Sequence, residues 1–307
     1  MKELLEKMMQ KKGTINNKYG QNVNIDSIML EINGLESFHF YKQDDLHQMR
    51  SISKVLIALA YGILIDRNLV DINERVYPVI KPIITVSNKD NLDYIKKWKL
   101  KHLLTYSAGY ESQMFSEKYI SNINPHDYLN YVVNYELKYK PGTRYAYNNA
   151  EIFLLSVFFK EKFKIDITKF IEKEIFSPLG IIKYDWEDYN GYCPGGTGLY
   201  ITHKDLFKIG KLILNYGRYN KKSIVSKEYI QTMCSTILST PQAVKPERVL
   251  PKYGVGYVMH ISRDGYCYKD GTDGQYIIIN FEKKQLITIL SSEKDMSCVT
   301  EILRDLI

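Results

Sequence analysis

Apolar residues crowd most densely along Val55-Leu56-Ile57-Ala58-Leu59-Ala60-Tyr61-Gly62-Ile63-Leu64-Ile65, a run with almost no polar position on any helical face. A helix apolar all round has to be buried in the middle of a sizeable protein. Ahead of it, residues 27–32 read as a strand, Asn33-Gly34 as a hairpin turn, and residues 37–41 as the returning strand. His39 alternates with aromatics there and reads as a sheet-face residue, and His47 as loop surface. From Leu69 the pattern becomes helical: residues 100–105, 125–133, 151–162, 166–176, 203–216 and 226–234 follow one another. Strand patterns return near the end, at 255–260, 266–268, 276–280 and 285–290, before a closing helix from about Met296 to Leu306.

Strands, then helices, then strands again is not the order of a sheet followed by a separate bundle. The economical arrangement is an α+β fold with one antiparallel sheet flanked by helices, assembled from residues 1–67 and 252–307. Residues 68–251 are then an inserted, mainly helical lobe, and a cleft between two lobes is a common place for a site. No internal repeat or low-complexity linker interrupts the chain.

Composition narrows the function classes. The 307 residues are 45% hydrophobic and 25% charged, which suits a globular protein and excludes disorder. The net charge of +7 comes from scattered lysines, without a basic tail or an arginine-aromatic cluster, so neither nucleic acid nor an anionic membrane is the expected partner. Cys193, Cys234, Cys267 and Cys298 form no Cys-x-x-Cys pair; free thiols are expected, with no metal and no cofactor. The first twelve residues read as a short amphipathic helix without an export signal, and no apolar run reaches the length of a membrane span. A cytoplasmic protein is the expectation. Nothing in the sequence specifies an oligomeric state.

The candidate chemistry begins at Met49-Arg50-Ser51-Ile52-Ser53-Lys54. If Ser51 opens the buried helix, Lys54 stands one turn on along the same face, a hydroxyl beside an amine. Burial near other cations lowers a lysine pKa, and a helix N-terminus stabilises a developing alkoxide. By itself Ser51 is equally well an N-cap and Lys54 a surface lysine. Ser-x-x-Lys also occurs at Ser291-Ser292-Glu293-Lys294, after a strand and without a buried helix.

Two further clusters bear on the choice. In Lys140-Pro141-Gly142-Thr143-Arg144-Tyr145-Ala146-Tyr147-Asn148-Asn149 a turn leads into a helix, placing Tyr147 and Asn149 on an irregular segment. A phenol near an ammonium can have its pKa lowered and relay the serine proton. Asn149 can bond Lys54 and a substrate carbonyl at once. The alternative is a core tyrosine, one of 26, and a capping asparagine. In Tyr268-Lys269-Asp270-Gly271-Thr272-Asp273-Gly274 a strand ends in glycines that let backbone approach a substrate closely. An amide there could form an oxyanion hole with that of Ser51. The alternative is a glycine-rich hairpin turn.

In this order the three clusters resemble the serine β-lactamase and penicillin-binding-protein superfamily, in its branch of class C β-lactamases, D,D-peptidases and related esterases. Leu103-Leu104-Thr105-Tyr106-Ser107-Ala108-Gly109, Lys140-Pro141-Gly142-Thr143, Pro178-Leu179-Gly180 and Gly195-Gly196-Thr197-Gly198-Leu199-Tyr200-Ile201-Thr202 extend the resemblance over most of the chain. It implies a β-lactamase/transpeptidase-like fold and an acyl-enzyme on Ser51. Lys54 would be base or hydrogen-bond partner, Tyr147 would share proton transfer, and Asn149 would orient. Lys269, Asp270 and Gly271 would occupy the Lys-Thr-Gly position, with the Thr272 amide in the oxyanion hole. Asp270 departs from the pattern, since a carboxylate there should repel a substrate carboxylate. The expected activity is hydrolysis of a small ester, amide or peptide, preferably neutral or cationic. The alternatives are a β-lactamase or D,D-peptidase, and a catalytically silent binding module.

Overall fold

Strand Ile25–Ile32 pairs on one edge with Leu35–Phe40, the hairpin that Asn33-Gly34 closes, and on the other with Gln285–Ser291 from the far end of the chain. In this computed structural model, which describes residues 2–240, 250–304 and 307, the sheet then runs through Tyr276–Asn280, Cys267–Asp270, His260–Ile261, Gly254–Val255 and Leu238–Ser239. All eight strands are antiparallel. The N- and C-terminal parts of the chain thus share one sheet, as the order of patterns requires.

Both faces of this sheet are covered, which explains the unbroken apolar run Tyr276-Ile277-Ile278-Ile279 in place of alternation. Ile277 and Ile279 face the main core with the central helix. Tyr276 and Ile278 face a second core with Leu5 and Met8 of helix Lys2–Thr14 and Val299 and Ile302 of helix Met296–Leu303. The expected extension of that last helix to Leu306 lies outside the described residues.

The run after Ser53 forms helix Lys54–Asp66, buried from Lys54 through Leu64. It lies at the centre of the main core, pinned by Tyr61 Oη to the Leu155 carbonyl (2.7 Å) and by Tyr229 Oη to the Ala58 carbonyl (2.7 Å). Gly62 lies under the Tyr229 ring, where a Cβ would come within 2.5 Å of a ring carbon. The floor beneath Ser51 is therefore rigid packed helix, the kind of support a reactive side chain needs.

Three expectations need correction. Helix His203–Leu214, assigned with the helical segment 68–251, packs on the sheet: His203 lies between Ser27 and Thr288 (2.5 and 2.8 Å), and Gly210 sits against Leu286. Strand Leu238–Ser239 also joins the sheet, so the division at residue 251 is not where the packing divides. The strand expected at 255–260 is broken, because Val258 takes a left-handed φ of 56° and its N–H donates to Leu104 of the helical part. His47 belongs to a two-residue strand, His47–Gln48, and is tied to Asp26 at 3.0 Å.

Candidate active site

A short 3-10 turn, Arg50–Ser53, feeds the central helix and leaves Ser51 half-buried at the rim while Lys54 is fully enclosed. Arg50 holds a φ of 48°, a conformation that costs a non-glycine residue free energy and persists only where its surroundings enforce it. Two contacts do so. Arg50 Nε pairs with Asp273 Oδ2 at 2.7 Å, and Ser53 Oγ donates to the Arg50 carbonyl at 2.8 Å and to Gly195 at 3.0 Å.

Lys54 Nζ lies 3.0 Å from Ser51 Oγ and donates to the Gly196 carbonyl at 2.7 Å. Tyr147 donates to the same Ser51 Oγ at 2.6 Å. A hydroxyl, an amine and a phenol from segments almost a hundred residues apart thus meet at one oxygen. Burial, aided by Lys252 and opposed by Asp270, holds the Lys54 amine well below the usual ammonium range. An amine shifted in this direction gives up its proton more readily than a free lysine, which favours the form with a lone pair.

Tyr147 departs from expectation. Its pKa is raised, because burial outweighs the Ser51 hydrogen bond and the Asp270 carboxylate adds to the effect. Lys54, Lys252 and Lys269 surround its ring at 5.1, 5.3 and 4.6 Å. Burial, then Lys54 and Lys252, depress the Lys269 amine well below the ordinary lysine value as well. The phenol stays protonated and acts as a donor.

Lys269 and Asp270 end strand Cys267–Asp270 in register with Ile277 and Tyr276. Lys269 Nζ stands 3.3 Å from Tyr106 Oη and 3.2 Å from His260 Nε2. His260 Nε2 lies 3.5 Å from Asp270 Oδ1. Burial would raise the Asp270 pKa, but Lys252, His260 and Lys269 overcome it and keep the group ionised. Gly271 is crowded by Gln275 and by Arg50, whose Cβ would lie 3.1 Å from an added Cβ, so a glycine is what lets this turn close against the serine segment.

Asn149 does not bond Lys54, whose amine is taken by Gly196. The Asn149 amide packs on Gly196 instead, and its Oδ1 is buried with no protein partner among the described residues. Ser51, Asn149, Gly196 and Thr272 together line a cavity of about 810 Å³. Sequence reasoning assigned no role to the Gly196 carbonyl, Gln113, Tyr106, Lys252 or His260. Gln113 Oε1 accepts the Asn149 N–H at 2.9 Å. Tyr106 lay inside a quoted motif, but no spacing marks His260 or Lys252.

The arrangement sets a serine hydroxyl between an amine of lowered pKa and a protonated phenol at the wall of a cavity, a set suited to acyl transfer. The chain is similar in structure to the octameric penicillin-binding protein homologue from Pyrococcus abyssi (TM-score 0.71, 21% identity, 98% of this chain and 75% of that one). It is also similar to EstCE1, a hydrolase with promiscuous acyltransferase activity (TM-score 0.75, 13% identity, 99% of both chains). A third such structure is a beta-lactamase/D-alanine carboxypeptidase from Pseudomonas syringae (TM-score 0.73, 15% identity, 99% and 98%). At these identities the likeness is one of fold. The Beta-lactamase family description matches residues 32–301, nearly the whole chain, and the protein belongs to that family.

Proposed function

We propose that the protein is a serine hydrolase that cleaves an ester or amide through an acyl-enzyme on Ser51. The observation that carries this reading is the convergence of Lys54 Nζ and Tyr147 Oη on Ser51 Oγ, at 3.0 and 2.6 Å, beside the cavity. The neutral Lys54 amine takes the Ser51 proton as Oγ attacks the substrate carbonyl. The Ser51 and Thr272 N–H groups receive the oxyanion. The Tyr147 phenol, donating to Oγ, stabilises the developing alkoxide, and the Lys54 ammonium and Tyr147 are the acids from which the leaving group takes its proton. Water then replaces the leaving group, and the same steps in reverse release the carboxylic acid and restore Ser51.

The carboxylate of Asp270, kept ionised at the Lys-Thr-Gly position, supports a preference against substrates with a free carboxylate. The family match itself favours the second reading, a β-lactamase or D,D-peptidase. Two experiments test the shared serine and then separate the readings. A fluorescent phosphonate should label the parent protein and not Ser51→Ala, and equal labelling of both would remove Ser51 from the mechanism. Stable acylation by penicillin, seen as an intact-mass increase, would move the assignment to the second reading.

A further inference from the structure

The cavity beside Ser51 carries a charge balance opposite to that of the whole chain. The protein has a formal charge of +7, yet the charged residues lining the cavity are Arg50 and Lys118 against Glu117, Glu187 and Asp273. Arg50 is paired with Asp273 at 2.7 Å within the lining, and Lys118, an exposed residue of the same wall, holds its ammonium 5.6 Å from the centroid of the Tyr119 ring. The lining thus keeps one more carboxylate than cation. Glu117 and Glu187 remain, and neither forms an ion pair among the described residues.

Glu187 is also held in place. Its N–H donates to the Gly198 carbonyl at 3.0 Å, and its side chain lies across Gly198, where a Cβ would stand 2.7 Å from Oε2. Gly198 has a φ of 76°, so the same glycine that permits the backbone turn leaves the space for this carboxylate. Two residues back, the Gly196 carbonyl accepts the Lys54 amine, which ties the Glu187 segment directly to the serine site. The nearest amide, Gln48 Nε2, is 3.5 Å from Oε1, too far to satisfy it strongly. The remaining lining is polar and uncharged, including Gln113, Thr197 and Tyr200.

Resting on the hydrolase reading and narrowing its substrate class, we propose that the substrate carries a protonated amine, which the Glu187 carboxylate receives with Glu117 beside it. Burial, with Glu117 and Asp185, raises the Glu187 pKa against the pull of Arg50, as a locally negative site would. An added ammonium relieves that repulsion, whereas a second anion worsens it.

The test is a matched panel of alanine p-nitroanilides and methyl esters with the amine free, N-acetylated or N-succinylated, in both enantiomers. The expected order of kcat/KM is cationic, then neutral, then anionic, with the free amine favoured about fivefold over its acetylated form, as befits an ion pair to a solvent-exposed carboxylate. That ratio should fall as pH rises through the substrate amine's own pKa, about 8. Glu187→Gln should shrink it and Glu187→Lys should reverse the order. A parent ratio of one or less, or a ratio that Glu187→Gln leaves unmoved, overturns the inference. Phosphonate labelling separates the two claims: a labelled protein without amine preference overturns only this one, and an unlabelled protein overturns the hydrolase reading with it.

Discussion

Two segments of this chain carry the same Ser-x-x-Lys spacing, and the fold treats them in opposite ways. At Ser51 the serine lies in a 3-10 turn that runs straight into a helix, so the side chain three residues on returns to the same face. At Ser291 the serine ends a strand, and the chain then turns before the next helix starts at Met296. Lys294 is consequently exposed, while Lys54 is fully buried. The hydrogen bonds differ as well. Ser291 Oγ donates to the Asn24 carbonyl at 2.9 Å and accepts the Glu293 N–H at 3.0 Å, which uses it up. Glu293, itself buried, accepts from the Asn24 and Asp295 N–H groups at 3.1 and 2.9 Å and from the Asn17 amide. That cluster is closed and knits the N-terminal loop to the end of the sheet. Around Ser51 the site is open: Asn149 Oδ1 and His260 Nδ1 are buried and lack protein partners among the described residues. Buried polar groups are ordinarily satisfied, so such exceptions call for a functional explanation. One motif supplies a staple and the other the serine of the proposed site, and their surroundings make the difference.

The comparison can be broken most decisively at the lysines. Lys54→Met should lower kcat/KM by about 10²–10⁴-fold, the range for losing a general base, while Lys294→Met leaves turnover near the parent value. The melting temperature of Lys54→Met should not fall, because a fully buried amine gives way to an apolar chain of similar volume. Ester-hydrolysis kinetics and thermal unfolding on the same samples check both halves.

A pH profile sharpens it next. Lys54 must be neutral to act as base, so kcat/KM should fall as pH drops through its lowered pKa, well below 10.5. The raised Tyr147 phenol is not the base, so no further rise tied to its ionisation is expected up to about pH 10. A rate still climbing at pH 10 would give that role to a phenolate. The same shift has a sign in stability. Below 10.5 the unfolded chain binds protons on Lys54 and Lys269 that the folded state refuses, so stability should rise with pH across that window. Urea unfolding along a pH series should show this slope, reduced in Lys54→Met.

The smallest effect lies at the closed cluster. Ser291→Ala should cost about 1 kcal/mol of stability, the worth of a hydrogen bond whose partners stay buried, and should leave turnover unchanged. A loss of activity equal to that of Ser51→Ala would contradict the distinction drawn between the two motifs.

Much of this was legible in the sequence because it rests on local periodicity. The all-apolar run after Ser53 could only be a central helix, and Asn33-Gly34 could only be a tight turn between two strands. The break at Val258 was hidden, because its cause is a hydrogen bond to Leu104, more than a hundred and fifty residues away. Helix His203–Leu214 has one strongly apolar face, but only the fold decides that the helix packs chiefly on the last two strands of the sheet, with Gly210 against Leu286. Asn149 lines the same cavity as Ser51 but does not bond Lys54, since the competing acceptor is a backbone carbonyl and every residue has one.

By itself the sequence determined that Ser51 and Lys54 share a helical face, that Tyr147 and Lys269 lie on segments able to approach it, and that both ends of the chain contribute to one sheet. Tertiary structure alone decided the proton affinities. Burial shifts the Lys54 amine well below the usual ammonium range and the Tyr147 phenol upward, with Asp270 and Lys252 acting on the amine and Asp270 on the phenol. Desolvation and Coulomb terms depend on distance in space and on the exclusion of water, and neither quantity is written in the order of residues.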